Sequence, residues 1–389
     1  MAEVDGAGTD NPASVLVKVD GSVGTVTLNR PKAINALDHE MALAMEQALL
    51  GWAVDSEISA AIVRGAGERG LCAGGDIVAI HRDAAVLSAG EATDADAAAS
   101  PSAAFWRDEY RLNTLISRYP KPYVAIMDGI VMGGGVGISA HGNTRVVTDR
   151  TRLGMPEVGI GFIPDVGGTH LLSKVSDELG TYVALTAGTI RAADAIAIGL
   201  ADHYIPADGL SAALEWWKPG EAFPGADPGE SALAEQRGWI REAFAGDSVA
   251  DIIARCRELG TPEATKAADI IEAKSPLAAA VTLRALREAA SVEDLAQSLR
   301  VEYRLALRSL RNPDMAEGIR AQGIDKDRNP TWRHADHASV TADEGDAIWH
   351  GVDAVLGEVG DIQSHSNKLE RVTFFFKRPE RRTPVSEPD

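Results

Sequence analysis

One stretch of the sequence is more informative than any other: GMPEVGIGFIPDVGG, at positions 154–168. It places two carboxylates, Glu157 and Asp165, among apolar residues, glycine and proline. A carboxylate in apolar surroundings has a raised pKa, which suits a general acid or base. The structural alternative makes Glu157 a helix-start acid after Pro156 and Asp165 the cap of a helix that opens at Val166. The residues of this stretch leave both interpretations open.

Two glycine-rich turns precede this stretch. One is LCAGGDI at 71–77 and the other is GGGVG at 133–137, and we predict a buried strand before each, at 60–64 and 123–127. Glycine lets backbone N–H groups approach a ligand closely, and a following helix adds the positive end of its dipole. Two such turns facing each other would form an oxyanion hole, which a thioester carbonyl needs when its oxygen gains charge. The alternative is a pair of ordinary strand-to-helix turns.

Two other chemistries fit these turns less well. GVGISA at 135–140 follows the G-x-G-x-x-G/A dinucleotide pattern, but Asp149 comes too soon to be the acid that binds a ribose. GISAH at 137–141 begins like the nucleophile elbow of a serine hydrolase, but His141 stands where that motif has its second glycine. We therefore favour the oxyanion interpretation over both.

Composition narrows the class of protein. The chain has 389 residues, of which 45% are hydrophobic and 24% charged, as in a globular protein with a sizeable core. A net charge of −19 argues against general nucleic-acid binding, which needs a basic face. Cys72 and Cys256 are too few and too far apart for a disulfide framework or a cysteine metal site. His334 and His337 are interpreted as a solvated surface pair, and no metal site is predicted.

The expected location and organisation follow from the same sequence. No apolar run is long enough to span a membrane, and residues 1–11 are acidic without the features of a leader, so we expect a cytoplasmic protein with no membrane partner. We predict a disordered N-terminus at 1–14, an α/β catalytic core at 15–215, a helical region at 216–362 and a partly disordered tail at 363–389.

Local patterns predict the elements of this core. We expect a hairpin at 15–29, a helix capped by Asp38, a mobile loop or partly helical lid at 84–104, and a loop at 218–230. Alternation of strands and helices predicts a layered sheet with parallel pairing. The expected later strand lies at 144–148, and the expected later helices lie at 104–117, 134–140, 192–198, 232–245, 249–258 and 276–290.

Taken together, the motifs resemble those of the crotonase, or enoyl-CoA hydratase/isomerase, superfamily. LNRPKAINAL at 28–37 resembles its opening segment, the turns at 71–77 and 133–135 its two oxyanion turns, and Pro156-Glu157 with Gly159 and Pro164 its catalytic segment. The resemblance extends over residues 15–335. It implies an α/β fold of repeated ββα units wound into a right-handed spiral, with a helical C-terminal region, assembled as a homotrimer or hexamer. It also assigns the oxyanion N–H groups to Gly75 and Gly134.

Departures from the hydratase pattern indicate a subgroup. Hydratases carry a second glutamate three residues after the middle glycine, where this chain has Gly137, and they have glycine where this chain has Asp165. PDVGG at 164–168 and FWRDEY at 105–110 resemble the 3-hydroxyisobutyryl-CoA hydrolases, with Glu109 at a substrate-binding position of that group. The segments 317–320 and 324–332 also resemble these hydrolases.

The resemblance implies hydrolysis of a short branched 3-hydroxyacyl-CoA thioester, most specifically 3-hydroxyisobutyryl-CoA in valine catabolism. Glu157 would attack the carbonyl or activate a water, and Gly134, Glu109 and Asp165 would help to bind the substrate. CoA would be substrate and leaving group, with no retained cofactor, and Lys32 and Lys326 are candidates for binding its phosphates. The rivals are enoyl-CoA isomerase or hydratase chemistry and, as a different class, a CoA-binding scaffold without turnover.

Overall fold

The computed structural model describes residues 13–349. Its strands, in chain order, are β1 Val15–Asp20, β2 Val23–Leu28, β3 Ala60–Gly65, β4 Gly70–Cys72, β5 Tyr123–Met127, β6 Ile130–Met132, β7 Thr144–Val147, β8 Arg152–Gly154, β9 Thr189–Ile190 and β10 His203–Tyr204. The helices are α1 His39–Val54, α2 Ile77–Ser88, α3 Asp94–Ala98, α4 Pro101–Ser117, α5 Gly134–Gly137, α6 Gly168–Ser173, α7 Leu179–Thr186, α8 Ala192–Ala197, α9 Leu210–Trp216, α10 Ala232–Glu235, α11 Arg237–Phe244, α12 Val249–Leu259, α13 Pro262–Glu272, α14 Pro276–Ala289, α15 Leu295–Leu310, α16 Pro313–Ile319 and α17 Ala342–Trp349.

The strands form two sheets that are built by the same repeat. The larger sheet has the order β1-β2-β3-β5-β7-β10, and the smaller has the order β4-β6-β8-β9. Strands β3, β5 and β7 are parallel neighbours in the first sheet, and the strands that follow them, β4, β6 and β8, are parallel neighbours in the second. Each repeat therefore adds one strand to each sheet before the chain turns into helix. The predicted parallel α/β core is confirmed.

The larger sheet has apolar layers on both faces. Every residue of β5 is buried, as expected for a central strand that is covered on both sides. On one face lies α1, whose Met41, Met45 and Leu49 recur on a single helix face and are fully buried. This helix begins as predicted, because the Asp38 carboxylate accepts a hydrogen bond from the Met41 N–H at 2.9 Å. On the other face, Trp217 lies in a second apolar cluster with side chains of β3 and β5.

The C-terminal helices pack directly on the core. Helix α14 packs on α6, α15 packs on α4, and α16 packs on α2. Asp94 on α3 forms ion pairs with Arg308 on α15 and with Arg311 directly after it, at 2.6 and 2.5 Å. The expectation of a mobile loop at 84–104 is therefore wrong, whereas that of partial helix is confirmed. Side chains of Thr93 and Ser100 cap α3 and α4. This capping stabilises the two helices although the sequence of the segment has no apolar periodicity.

Other predictions differ in detail. The expected helix at 232–245 is two helices, α10 and α11, and the one expected at 134–140 is a single turn, α5. His337 is buried and its Nε2 lies 2.9 Å from the Ile271 carbonyl oxygen, so a solvated histidine pair is wrong. The loop predicted at 218–230 contains no helix. The boundaries after 215 and 362 stay predictions.

The predicted disorder at the two ends lies largely outside the described residues, since residues 1–12 and 350–389 are not described. Within the described range, no helix is both long enough and apolar enough to cross a membrane.

Candidate active site

Three neighbouring strands of the smaller sheet end at the same edge, and each leads into one segment of the site. Strand β4 leads to Gly75, β6 leads to Gly134, and β8 leads to Pro156 and Glu157. The carboxyl ends of parallel strands lie side by side, so segments far apart in sequence meet there. The sequence patterns did not reveal these strands, because three residues are too few to show an alternating period.

The two glycine turns face each other. The Gly74 carbonyl accepts from the Leu37 N–H at 2.8 Å and the Asp76 N–H donates to the Leu37 carbonyl at 2.9 Å, so the Gly75 N–H between them points away from Leu37. Gly134 is the first residue of α5, where N–H groups have no partner within the helix. A Cβ atom on Gly134 would lie 3.5 Å from the Gly75 nitrogen. The structure thus brings Gly75 and Gly134 close together, and the role of their N–H groups as an oxyanion hole stays a prediction.

The space next to these glycines is occupied by carboxylates. A Cβ atom on Gly133 would lie 2.8 Å from Oε1 of Glu157, and one on Gly134 would lie 2.6 Å from Oε1 of Glu109. Gly133 also has a φ of +47°, which L side chains rarely adopt. Any larger residue here would displace a carboxylate, so the glycines are required by close approach as well as by conformation.

The turns and carboxylates line a cavity of about 350 Å³. One wall is aromatic, with Trp106 stacked on Phe162 at a ring-centroid distance of 5.4 Å. Met315 and Ile319 from α16 also line the cavity, so the helical region helps to close the site. Apolar walls around a few convergent polar groups are typical of a small-molecule site.

Glu109, Glu157 and Asp165 all line this cavity, and each side chain is at most 5% exposed. Burial raises the pKa of Glu109 and of Glu157 well above the usual range, and the nearby Asp165 charge raises both further. Burial also raises the pKa of Asp165 to about 7, although its Oδ2 accepts a hydrogen bond from the Tyr110 hydroxyl at 2.8 Å. Because the charge of one carboxylate raises the pKa of the others, these groups are expected to titrate together rather than independently.

Two carboxylate oxygens remain available to a ligand. Oε1 of Glu109 and Oε2 of Glu157 are buried and have no hydrogen-bond partner among the described residues. Buried polar atoms normally have partners, so an unpaired one in a cavity indicates a place for substrate or water.

Asp165 does not cap the next helix, and that structural prediction is wrong. The helix begins at Gly168, two residues later than expected, without a side-chain cap from Asp165, and the N–H groups of Gly167 and Thr169 at its start are bound by Glu302 on α15. Oε2 of Glu302 accepts from the Gly167 N–H at 2.7 Å, and Oε1 accepts from the Thr169 N–H at 3.0 Å and from its hydroxyl. Glu302 is fully buried, which raises its pKa to about 8.

Sequence reasoning missed Glu302 and a second residue, Lys274. Glu302 lies 135 positions from its partner Gly167, so no local motif connects them, although an acid on the buried face of an amphipathic helix was a usable signal. Lys274 lines the cavity, and burial lowers the pKa of its ammonium. Lys32 and Lys326, in contrast, are exposed and do not line the cavity. Their role in binding phosphate stays a prediction.

The backbone that follows Asp165 is strained. Val166 has a φ of +53°, and a β-branched residue in the left-handed region is an outlier that costs roughly 1–2 kcal/mol. Its carbonyl accepts a hydrogen bond from Nε2 of His141 at 2.7 Å. Burial lowers the pKa of His141 to about 4, so the ring is neutral with its proton on Nε2.

Position 137 has no room for a side chain. A Cβ atom on Gly137 would lie 2.6 Å from Cβ of Val166 and 2.9 Å from Nδ2 of Asn113. Both neighbours are buried, so neither can move aside without disturbing the core. A glutamate therefore does not fit here in the present packing.

The chain has two largely parallel sheets built by a repeated unit, and its glycine turns face buried carboxylates. It belongs to the enoyl-CoA hydratase/isomerase family, whose sequence pattern matches residues 23–349. The 3-hydroxyisobutyryl-CoA hydrolase, mitochondrial, of Gallus gallus is 37% identical over 84% of this chain and 86% of its own. A solved carnitinyl-CoA dehydratase from Mycobacterium thermoresistibile is 50% identical, with a TM-score of 0.80 over 88% of this chain and 98% of its own. An enoyl-CoA hydratase from Rhodobacter sphaeroides 2.4.1 is 38% identical, with the same TM-score and coverage. The fold is the crotonase-like fold that the resemblance implied.

Asp165→Asn should raise the melting temperature by several degrees at about pH 8 and by less at about pH 5. The folded protein raises the pKa of this carboxyl from 3.8 to about 7, so between these values the folded state binds more protons than the unfolded state. The stability of the folded state therefore falls as pH rises through this window, and asparagine removes that loss. Thermal unfolding of the parent and the variant at the two pH values measures the change in melting temperature. The control is Asp20→Asn, whose side chain is 81% exposed, and equal shifts for Asp165→Asn at both pH values would contradict the interpretation.

Proposed function

We propose that this protein hydrolyses a short branched 3-hydroxyacyl-CoA thioester, with 3-hydroxyisobutyryl-CoA as the expected substrate. The curated relatives named as 3-hydroxyisobutyryl-CoA hydrolases support this, since they are 34–37% identical over about the same span as the family match. Crotonase-family enzymes share acyl-CoA substrates, so membership of the family does not distinguish thioester hydrolysis from hydration or isomerisation. That choice depends on the residues of the site.

One observation supports hydrolysis most strongly: Glu157 and Asp165 face the same cavity as the glycine turns, while position 137 is closed. Addition of water across a double bond needs a second acid or base opposed to Glu157, and hydratases place that glutamate where this chain has Gly137. Here the space beside Gly137 is filled by Val166 and Asn113. A carboxylate at the substrate's far end, Asp165, suits binding of a hydroxyl group instead.

In the proposed reaction the thioester oxygen lies between the N–H groups of Gly75 and Gly134. These donors stabilise the negative charge of the tetrahedral intermediate, and each is expected to contribute about 3 kcal/mol to the transition state. Glu157 either attacks the carbonyl carbon, which forms a mixed anhydride, or removes a proton from an attacking water. In both routes the C–S bond breaks, and CoA leaves as a thiolate that takes up a proton. In the first route a water then hydrolyses the anhydride, which releases the product acid and regenerates Glu157; in the second the attacking water itself supplies the oxygen of the product acid.

Glu109 and Asp165 would fix the 3-hydroxyl group and the water. A protonated carboxyl donates a hydrogen bond and an ionised one accepts it, so a cluster that shares protons can do both. The free Oε1 of Glu109 lies beside Gly134, close to where the acyl carbonyl would bind. A site that pairs a buried polar group with a substrate hydroxyl strongly rejects the analogue that lacks it.

Several finer points remain part of this proposal. CoA is substrate and leaving group rather than a retained cofactor, and Lys32, Lys326 and the cavity-lining Lys274 are candidates for contacting it. We further propose a homotrimer or hexamer and a cytoplasmic location, although the named hydrolase relatives are mitochondrial. Light scattering and cell fractionation test these two points.

The purified protein should release free thiol rapidly from 3-hydroxyisobutyryl-CoA and hydrate crotonyl-CoA poorly. Isobutyryl-CoA, which lacks only the hydroxyl, is the matched control substrate and should react at least about tenfold more slowly. A thiol reagent measures hydrolysis of 3-hydroxyisobutyryl-CoA and of isobutyryl-CoA, and loss of enoyl absorbance measures hydration of crotonyl-CoA. Efficient hydration without thiol release would support the hydratase or dehydratase alternative that the solved relatives' names suggest.

Glu157→Gln should lower kcat by about 10²-fold or more and leave KM within a few-fold of the parent value. Glutamine keeps the shape of the side chain but cannot attack the carbonyl or accept a proton. The matched control is Glu215→Gln on the exposed face of α9, which should keep full activity. If Glu157→Gln kept more than half of the activity, Glu157 would not be the reacting group.

The rate of hydrolysis should rise with pH through an apparent pKa near 7 rather than near 4. The reaction needs ionised carboxylate, and burial raises the pKa of Asp165 to about 7 and that of Glu157 above its usual range. Protonation therefore removes the active form as pH falls through the raised value. A profile of kcat/KM between about pH 5 and 9 measures this for the free enzyme. A flat profile over that range would show that these carboxyls are not required in ionised form.

A further inference from the structure

The turn that carries Asp165 has a backbone conformation that its residues do not favour. It is closed by the Gly168 N–H, which donates to the Asp165 carbonyl at 2.6 Å. Both central residues have positive φ, +53° at Val166 and +82° at Gly167. Turns of this kind favour Asn-Gly, and valine is among the residues least suited to the first position. The conformation therefore has to be held by contacts from outside the turn.

Two side chains from distant parts of the chain supply those contacts. His141 follows α5, and its Nε2 donates to the Val166 carbonyl at 2.7 Å. Glu302 comes from α15 and accepts from the Gly167 N–H at 2.7 Å. One side chain thus binds the carbonyl and the other binds the N–H of the same peptide unit, so this peptide plane is fixed from both sides.

Packing adds to these hydrogen bonds. A Cβ atom on Gly167 would lie 2.5 Å from Nε2 of His141 and 2.7 Å from Cδ1 of Leu295 on α15. The imidazole and α15 therefore lie directly against the turn, with no space for it to relax. His141 and Glu302 do not line the cavity, and so they do not touch the substrate.

We propose that His141 and Glu302 are positioning residues: they hold the Val166–Gly167 peptide in its strained conformation and thereby present the Asp165 carboxylate to the cavity. On the other side, the Tyr110 hydroxyl holds the carboxylate itself at 2.8 Å. This proposal rests on the proposed function, because it requires Asp165 to take part in the hydrolysis. It assigns a role in catalysis to a histidine and a glutamate that never meet the reacting atoms.

The kinetic test compares His141→Ala and Glu302→Gln with the parent enzyme on 3-hydroxyisobutyryl-CoA. Each variant should lose about 10- to 100-fold in kcat, because misplacing a substrate-positioning group by an ångström costs this much, while KM changes less than about threefold. His141→Gln, whose amide can still donate to the Val166 carbonyl, should recover most of the loss. The matched control is His170→Ala, because the side chain of His170 on α6 also reaches α15, where it contacts Ser298 at 3.0 Å, but it is not a partner of the Val166–Gly167 peptide. It should keep the parent kcat.

Combination with Asp165→Asn separates positioning from a merely structural role. If His141 and Glu302 act through Asp165, then adding either substitution to Asp165→Asn should lower kcat no further. Losses that multiply in the double variants, or single variants with the parent kcat, would overturn the proposal.

Thermal unfolding supplies a readout that needs no activity. Glycine adopts positive φ freely, so Val166→Gly should remove the need for the clamp. His141→Ala should lower the melting temperature of the parent by several degrees and that of Val166→Gly by less than half as much. Equal losses in the two backgrounds would overturn the proposal. If the parent enzyme released no thiol, the proposed function would fail, and this unfolding comparison would still decide whether His141 holds the turn.

Discussion

Burial of several carboxylates in one small region is the constraint that the rest of the structure accommodates. Glu109, Glu157, Asp165 and Glu302 are each at most 5% exposed, and moving an ionised carboxylate out of water costs several kcal/mol even after the protein relaxes. The fold offsets this cost unevenly. Glu302 accepts three hydrogen bonds and Asp165 accepts one from Tyr110, whereas Glu109 and Glu157 each keep an unpaired oxygen. The least satisfied groups are those that face the cavity, which is where unmet hydrogen-bonding capacity is useful to a ligand.

The architecture explains how these groups meet. The repeat adds one strand to each sheet, so the three site segments leave the smaller sheet side by side from β4, β6 and β8. The helical region then completes the site from outside the repeat: α16 forms a wall of the cavity, and α15 brings Glu302 to the start of α6. Residues that are more than a hundred positions apart therefore control one turn. The strained backbone at Val166 is maintained because these long-range contacts determine the conformation of the turn more strongly than its own residues do.

The packing around a single position links two features in which this chain departs from the hydratase pattern. Gly137 is closed by Val166 and Asn113, and Val166 is also the residue whose positive φ shapes the Asp165 turn. Val166 therefore contributes to both features. Its side chain leaves no room for a second glutamate on α5, and its backbone conformation brings Asp165 to the cavity. Relatives that share much of the sequence and the fold carry different names, so the chemistry of the site rather than the fold has to decide function.

The sequence by itself determined the fold class, the parallel core, the cap at Asp38 and the segments that hold Gly75, Gly134, Glu157 and Asp165. These are local signals, because strand runs, caps and glycine turns are encoded by adjacent residues and their spacing. Only the tertiary structure decided that β4, β6 and β8 are strands and that the Asp165 side chain does not cap a helix. It likewise decided that residues 84–104 are partly helical and that Asp94 in this segment is ion-paired with Arg308 and Arg311. It also decided that Glu302, His141 and Lys274 belong to or support the site. Their positions depend on contacts between distant segments, and a hydrogen bond between residues 167 and 302 leaves no periodic trace in either segment.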